Sequence, residues 1–264
     1  MREILAQVQF RGMIRDRSVE PYVRLLKGLR SRNRVQGVVL DISSGGGEVV
    51  ASTDFFLAVK RLDQVKPVYA SIGSIGASGA YLAALGARRV FAYPESEVGS
   101  IGVVFAHLAL RDLARRLGVS IELVHEGVHK DAYQGYRPLR DEERAKLQAI
   151  THESYEQFVA LVARERKRPV EEIRALATGE FWTGTQALQL GLVDALADRE
   201  VVLEELARLT GVPSRKTVRL APPRALLDRI LMGGSNDVGG GVLGRVHDAI
   251  EDAVFDLGGF SLRR

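Results

Sequence analysis

The chain contains no cysteine. Disulfides, thiolate nucleophiles, zinc-thiolate sites and iron-sulfur clusters are thereby excluded, leaving hydroxyl, amine, imidazole and carboxylate chemistry. Aromatic residues make up 6%, with a single tryptophan, and only seven of the 37 basic residues are lysines. No apolar run reaches the length of about 18 residues that a spanning helix needs, and Met1-Arg2-Glu3-Ile4 lacks the apolar stretch of a signal peptide. Read this way, the chain is expected in the cytoplasm, with peripheral membrane association if it is a trimmed form of an anchored protein.

The 264 residues are 46% apolar and 27% charged, the balance of a folded globular protein with material for one large domain or two small ones. The formal charge is +4, but basic residues are interspersed with acids and no basic cluster is interleaved with aromatics, so no nucleic-acid partner is expected. No His, Asp and Glu cluster has metal-ligand spacing, and no metal or cofactor is expected.

Gln7 to Met13 reads as a strand, and Ser18 as the cap of a helix bearing Tyr22, Leu25, Leu26 and Leu29 at helical spacing. Val35 to Ile42 is a near-continuous apolar run, as in a strand covered on both faces, and it ends in Ser43-Ser44-Gly45-Gly46-Gly47. A helix from Val50 to Val65, a strand from Pro67 to Ile72 and a small-residue helix after Ser78 follow. Arg89 to Tyr93, Ile101 to Phe105 and Val119 to His125 read as strands, and Leu108 to Leu117 as a helix. Asp141 opens a long amphipathic helix to about Lys167, with Leu147, Ile150, Phe158, Leu161 and Val162 on one face. This alternation predicts an α/β fold with a mainly parallel sheet flanked by helices. We expect one domain over residues 1–212 and an extension over 213–264, with a glycine-rich connector and a terminal amphipathic helix whose acidic face suits docking on protein.

Ser78 follows a buried-type strand and opens a helix of small residues. It suits either an N-cap contributing about 1 kcal/mol or a nucleophile whose oxyanion is held by backbone N–H groups. Gly45-Gly46-Gly47 suits a tight turn or a close backbone approach to a ligand; with no Gly-Lys-Ser/Thr after it and no G-x-G-x-x-G, it is not a nucleotide cradle. The histidines His107, His125, His129, His152 and His247 share no motif that pairs one with Ser78. Six of the lysines fall on amphipathic helices or at element ends, and Lys130 alone lies in a loop after an expected strand. To act as a base it must be neutral, which burial and an orienting hydroxyl would favour, and Ser100 is the candidate hydroxyl.

The series Ser44-Gly45-Gly46-Gly47, Gly76-Ala77-Ser78-Gly79, Gly99-Ser100-Ile101-Gly102-Val103, Gly127-Val128-His129-Lys130-Asp131 and Ala187-Leu188-Gln189-Leu190-Gly191-Leu192-Val193-Asp194 resembles, in order and spacing, the short bacterial form of signal peptide peptidase A. That family comprises Ser-Lys dyad serine proteases on a crotonase-like fold of repeated ββα units, related to the Clp protease subunit. The resemblance implies Ser78 as nucleophile, Lys130 as general base and Ser100 as the lysine-orienting hydroxyl. It further implies Gly46 and Gly79 as backbone oxyanion donors, with Gly47, Glu48 and Val49 as one wall of a groove where substrate adds as a β-strand. Peptide substrates, remnant signal peptides among them, and an octameric ring with the dyad shared between subunits are further implications.

The chain departs from the pattern at Ser44, where the family usually has proline, and at Ala80, where it often has glycine; the family's membrane anchor is also missing. A catalytically inert scaffold ring and an acyl-CoA hydratase or isomerase on the same fold are the alternative readings.

Overall fold

The run Val-Gln-Gly-Val-Val-Leu-Asp-Ile-Ser-Ser forms a strand covered on both faces, and the other elements are arranged around it. The computed structural model describes residues 3–222, so the expected glycine-rich connector and terminal helix lie outside the described residues. In chain order the elements are β1 (Ile4–Arg11), α1 (Asp16–Leu29), β2 (Val35–Ser44), α2 (Val49–Asp63), β3 (Val68–Ala77), α3 (Gly79–Ala84), β4 (Arg89–Ala92), β5 (Glu97–Gly99), α4 (Arg111–Arg116), α5 (Asp141–Arg166), α6 (Val170–Leu176), β6 (Phe181–Thr183), α7 (Gly184–Gln189), β7 (Ala195–Leu196), α8 (Arg199–Thr210) and β8 (Thr217–Leu220). This is the mixed α/β architecture expected, with a sheet parallel at every pairing except β5 with β6.

The sheet runs β6-β5-β3-β2-β1-β8 and forks at β3. Tyr69 to Ile72 of β3 pair with β4, whereas Ile75 to Ala77 pair with β5. Ser96 holds the fork together: its hydroxyl donates to the Gly73 carbonyl at 2.6 Å and accepts from Tyr93 N–H at 2.9 Å. The strand expected to end at Ile72 therefore continues through the glycine- and serine-rich stretch to Ala77, where β2 and β5 supply partners on both sides.

Two-residue periodicity assigns each face its cover. Val8 and Phe10 of β1 with Leu40 and Ile42 of β2 share the core with Leu26, Phe55, Phe56 and Tyr81 from α1 to α3. Phe10 meets Tyr22 and Phe55 edge-on, each at 5.0 Å between centroids. Each such side chain stabilises the fold by about 1.5–3 kcal/mol through burial. On the opposite face Leu5, Val39, Tyr69 and Phe91 pack with Val202 and Leu206 of α8. Asp41 is wholly buried on that face, where Arg11 donates to Oδ1 at 2.8 Å and Gln9 to Oδ2 at 3.0 Å. Arg199 Nε lies 2.7 Å from Oδ2 as an ion pair, without hydrogen-bond alignment.

Several local expectations need correction. Ser18 is not the cap of α1 but lies inside its first turn, where its hydroxyl accepts from Arg15 N–H at 2.9 Å. Ile101 to Phe105 is not a strand; β5 lies just before it, and the edge of β5 is taken by β6. Val119 to His125 joins no strand among the described residues and is exposed throughout, and the expected helix over Leu108 to Leu117 shortens to α4. In α5 the buried positions are Glu143, Val159, Val162 and Ala163, while Ile150 is half exposed. β8 lies past the domain end expected at residue 212, and it pairs with β1 inside a compact unit that reaches Pro222.

Candidate active site

Parallel strands gather functional groups at their carboxyl ends, and three such ends meet around Ser78. β3 delivers Ser78 itself; on one side Ser44 of β2 stands opposite Gly76, and on the other Gly99 of β5 stands opposite Ala77. Ser78 N–H donates to the Gly99 carbonyl at 2.7 Å. The residue adopts φ 51° and ψ −123°, a conformation costly for any residue that carries a Cβ and a mark of backbone strain held in place by its surroundings. Ser78 occupies the N-cap position of α3, yet its side chain makes no capping hydrogen bond. The helix is secured instead from within, where wholly buried Tyr81 donates from its hydroxyl to the Leu192 carbonyl at 2.8 Å; burial pushes the Tyr81 phenol above its ordinary range.

The glycines pack against this turn so closely that side chains are excluded. A Cβ on Gly46 (φ +99°) would sit 2.7 Å from Gly79 N and 2.8 Å from Ser78 Cβ, and one on Gly79 would fall onto the Ser52 hydroxyl. Gly46 N–H donates to Ser44 Oγ at 3.1 Å, with Ser44 itself buried. The chain from Gly46 to Glu48 is also paired with Ile14: Ile14 N–H donates to the Gly46 carbonyl at 2.8 Å and Glu48 N–H to the Ile14 carbonyl at 2.9 Å. Glu48 is engaged further, its carboxylate accepting from Asp16 N–H at 2.9 Å, and Val49 already belongs to α2. Of the expected groove wall, Gly47 alone keeps a backbone N–H and C=O without a hydrogen bond among the described residues.

Ser100 follows the β5 end with φ 47°, and its N–H donates to the Glu180 carbonyl at 2.8 Å. Trp182, on β6, lines the other side of Gly99. Ser78, Ser100, Gly46 and Gly79 are thus gathered by neighbouring strand ends, and Lys130 is not joined to them. It is exposed, in a turn closed by its own N–H donating to the Gly127 carbonyl at 3.0 Å, and its amine makes no hydrogen bond to Ser78 or Ser100 within the chain. The segment from Val103 to Leu139 that carries it contains no strand. It exposes Val104 (89%), Leu117 (71%) and Val124 (96%). Among the described residues no His, Asp and Glu group could hold a metal ion, and no helix is long and apolar enough to cross a membrane.

Two features of the site have no local signature in the sequence. Ser52, one turn into α2, is buried under Gly79 and donates to the Glu48 carbonyl at 2.7 Å. Near Lys130, Arg137 binds Asp131 and Glu143 together. Their charges are unremarkable in the sequence, and only the fold brings them into contact.

Residues 60–213 match the profile of "Peptidase family S49". The chain is 34% identical to "Putative protease slr0021" of Synechocystis sp. over 236 residues, which is 89% of this chain and 85% of that one. It is 30% identical over 225 residues to "Serine protease SPPA, chloroplastic" of Arabidopsis thaliana, covering 83% of this chain and a third (33%) of that longer protein. In three dimensions it is similar to a solved mutant of the 1510-N membrane-bound stomatin-specific protease, with a TM-score of 0.53 at 16% identity over 84% of this chain and 100% of the other. Together with the three strand ends converging on a strained serine, these similarities make the chain a member of peptidase family S49 and a serine protease.

Proposed function

We propose that the protein hydrolyses peptide bonds by acyl transfer through a Ser78–Lys130 dyad, acting on remnant signal peptides or other short apolar peptides. The observation that carries the reading is the conformation of Ser78: strained, at a strand end, and with a hydroxyl not used for capping. Lys130 accepts the Ser78 hydroxyl proton as Oγ bonds to the scissile carbonyl carbon, and the C–N bond breaks as lysinium returns the proton to the leaving amine. Water then repeats the sequence on the acyl-enzyme. Gly46 and Gly79 N–H groups hold the oxyanion, which takes over the hydrogen bond that Gly46 now gives to Ser44. Ser100 orients the amine, and the unbonded N–H and C=O of Gly47 accept the substrate as an added strand beside Glu48 and Val49.

Because Lys130 is not bonded to Ser78 in its own chain, and the segment around it is exposed and apolar, the dyad is assigned between copies: Lys130 of one subunit serves Ser78 of the next in a closed homo-oligomer, an octameric ring by family resemblance. Peripheral membrane association fits the same substrates. Mixing tests the assignment. Ser78→Ala and Lys130→Ala proteins, each inactive alone, should regain reactivity with a fluorophosphonate at the Ser78 of the Lys130→Ala subunits once dissociated and reassembled together. No recovery in a reassembled mixture would overturn the shared dyad, and full labelling of Lys130→Ala alone would overturn Lys130 as the base.

A further inference from the structure

Lys130 sits in the least buried part of the described chain, yet its two neighbours are fastened. Between Gly102 and Glu142 the sole buried residue is Ala132, so apolar packing does little to fix this turn. A charged cluster does so instead. Arg137 donates to Asp131 through Nε at 2.7 Å and Nη2 at 2.8 Å, and to Glu143 through Nη1 at 2.8 Å and Nη2 at 2.7 Å. Two bidentate pairs on one guanidinium fix both carboxylates in its plane, a geometry that a lysine could not reproduce. The Glu143 side chain is 1% exposed and also accepts from Arg140 N–H at 2.8 Å at the start of α5. His129, the residue before Lys130, contacts Glu143 through Nδ1 at 3.4 Å. The residues on both sides of Lys130 are therefore tied to the first turn of the longest helix, while Lys130 itself is left exposed.

We infer that Arg137 is a positioning residue for Lys130, anchoring the turn that presents the amine and keeping the adjacent Asp131 carboxylate from pairing with it. The inference rests on Lys130 being the general base. Two consequences follow from charge and geometry. An amine presented about 1 Å out of place loses on the order of 10²-fold in rate. An Asp131 released from Arg137 keeps its negative charge but loses the cation that offsets it, and an uncompensated anion beside Lys130 favours the protonated amine, which cannot act as a base. The other titratable groups facing the turn are His125, Glu126 and His129 on the segment itself, with Arg140 and Glu143 from the start of α5. Among the described residues Arg137 alone bridges Asp131 to the helix.

The test needs no knowledge of the natural substrate. The rate and saturation constant for fluorophosphonate modification of Ser78 are measured against pH for the parent, Arg137→Gln, Arg137→Gln with Asp131→Asn, and Glu143→Gln, with Lys130→Ala as the reference for a lost base. Arg137→Gln should lower the maximal rate by about 10²-fold with the saturation constant unchanged, and move the rising limb of the pH profile to higher pH. Adding Asp131→Asn should return the limb toward the parent position while the rate stays low. Glu143→Gln, which keeps the shape and an acceptor oxygen, should lower the rate less, and it decides the matter alone if Arg137→Gln does not fold. Parent-like rates and pH profiles in these variants, with Lys130→Ala unreactive, would overturn the positioning role. Reactivity retained in Lys130→Ala would instead remove the base assignment on which the role rests.

Discussion

The turn that carries Ser78 is enclosed by three strand ends, and the segment that carries Lys130 by none. Around Ser78 the neighbours are backbone: the Gly99 carbonyl, the Gly46 and Gly79 peptides, and the Ile14 bridge beyond them. Such contacts are short and offer no alternative rotamers, which suits a group that must hold a strained conformation. Around Lys130 the anchors are charged side chains, joined to α5 through one arginine, with exposed apolar residues on either side. In the proposed mechanism the nucleophile and its oxyanion donors would fold with the sheet, and a base delivered to another copy would stay exposed until that copy arrives. The difference in construction is what a site completed between subunits would require.

Acid should separate the two regions most visibly. Hydrogen bonds from Arg137 hold the Glu143 and Asp131 carboxyls below the ordinary carboxylate range. Groups whose folded pKa is lowered contribute stability that is fully present above their unfolded values, near pH 4, and is lost as pH falls through that range toward the folded values. Between pH 7 and pH 3, after correction for intrinsic exchange rates, amides of residues 127–143 should lose hydrogen-exchange protection while those of β1 to β3 keep theirs. Equal loss in both would mean that the Arg137 cluster does not set the local stability of the segment.

A smaller effect probes the backbone side. Ser44 Oγ engages the N–H of Gly46, a contact that the proposed oxyanion would have to displace. Ser44→Ala removes the competitor, and a hydrogen bond worth about 1 kcal/mol corresponds to roughly a fivefold gain in the rate of serine modification. A comparable drop would show that Ser44 holds the glycine turn in shape more than it competes.

Legibility in the sequence follows the same division. Where the backbone is covered on both faces, the pattern was readable: the apolar run of β2, the helical spacing in α1 and the small residues of α3 fall where periodicity puts them. Ser78, Ser100 and the glycines stood out as an ordered series through the family resemblance, and the structure places them at neighbouring strand ends. The strand expected over Pro67 to Ile72 runs on to Ala77, since the glycines and serine after Ile72 hide a strand until β2 and β5 are seen to flank it. Ile101 to Phe105 and Val119 to His125 misled in the opposite direction: they read as strands but pair with no strand among the described residues. The ties of Arg137 to Asp131 and Glu143 span six residues each, match no helical or strand period, and become visible only in three dimensions.

The central claim is that Ser78 is activated by Lys130, and its most direct test is mass mapping of the fluorophosphonate adduct on the purified parent protein, with Ser78→Ala and Lys130→Ala treated alongside. The account predicts a single adduct on Ser78 that disappears in both variants while their melting temperatures stay at the parent value. An adduct on another serine, or an unmodified Ser78 in the assembled parent protein, would contradict it.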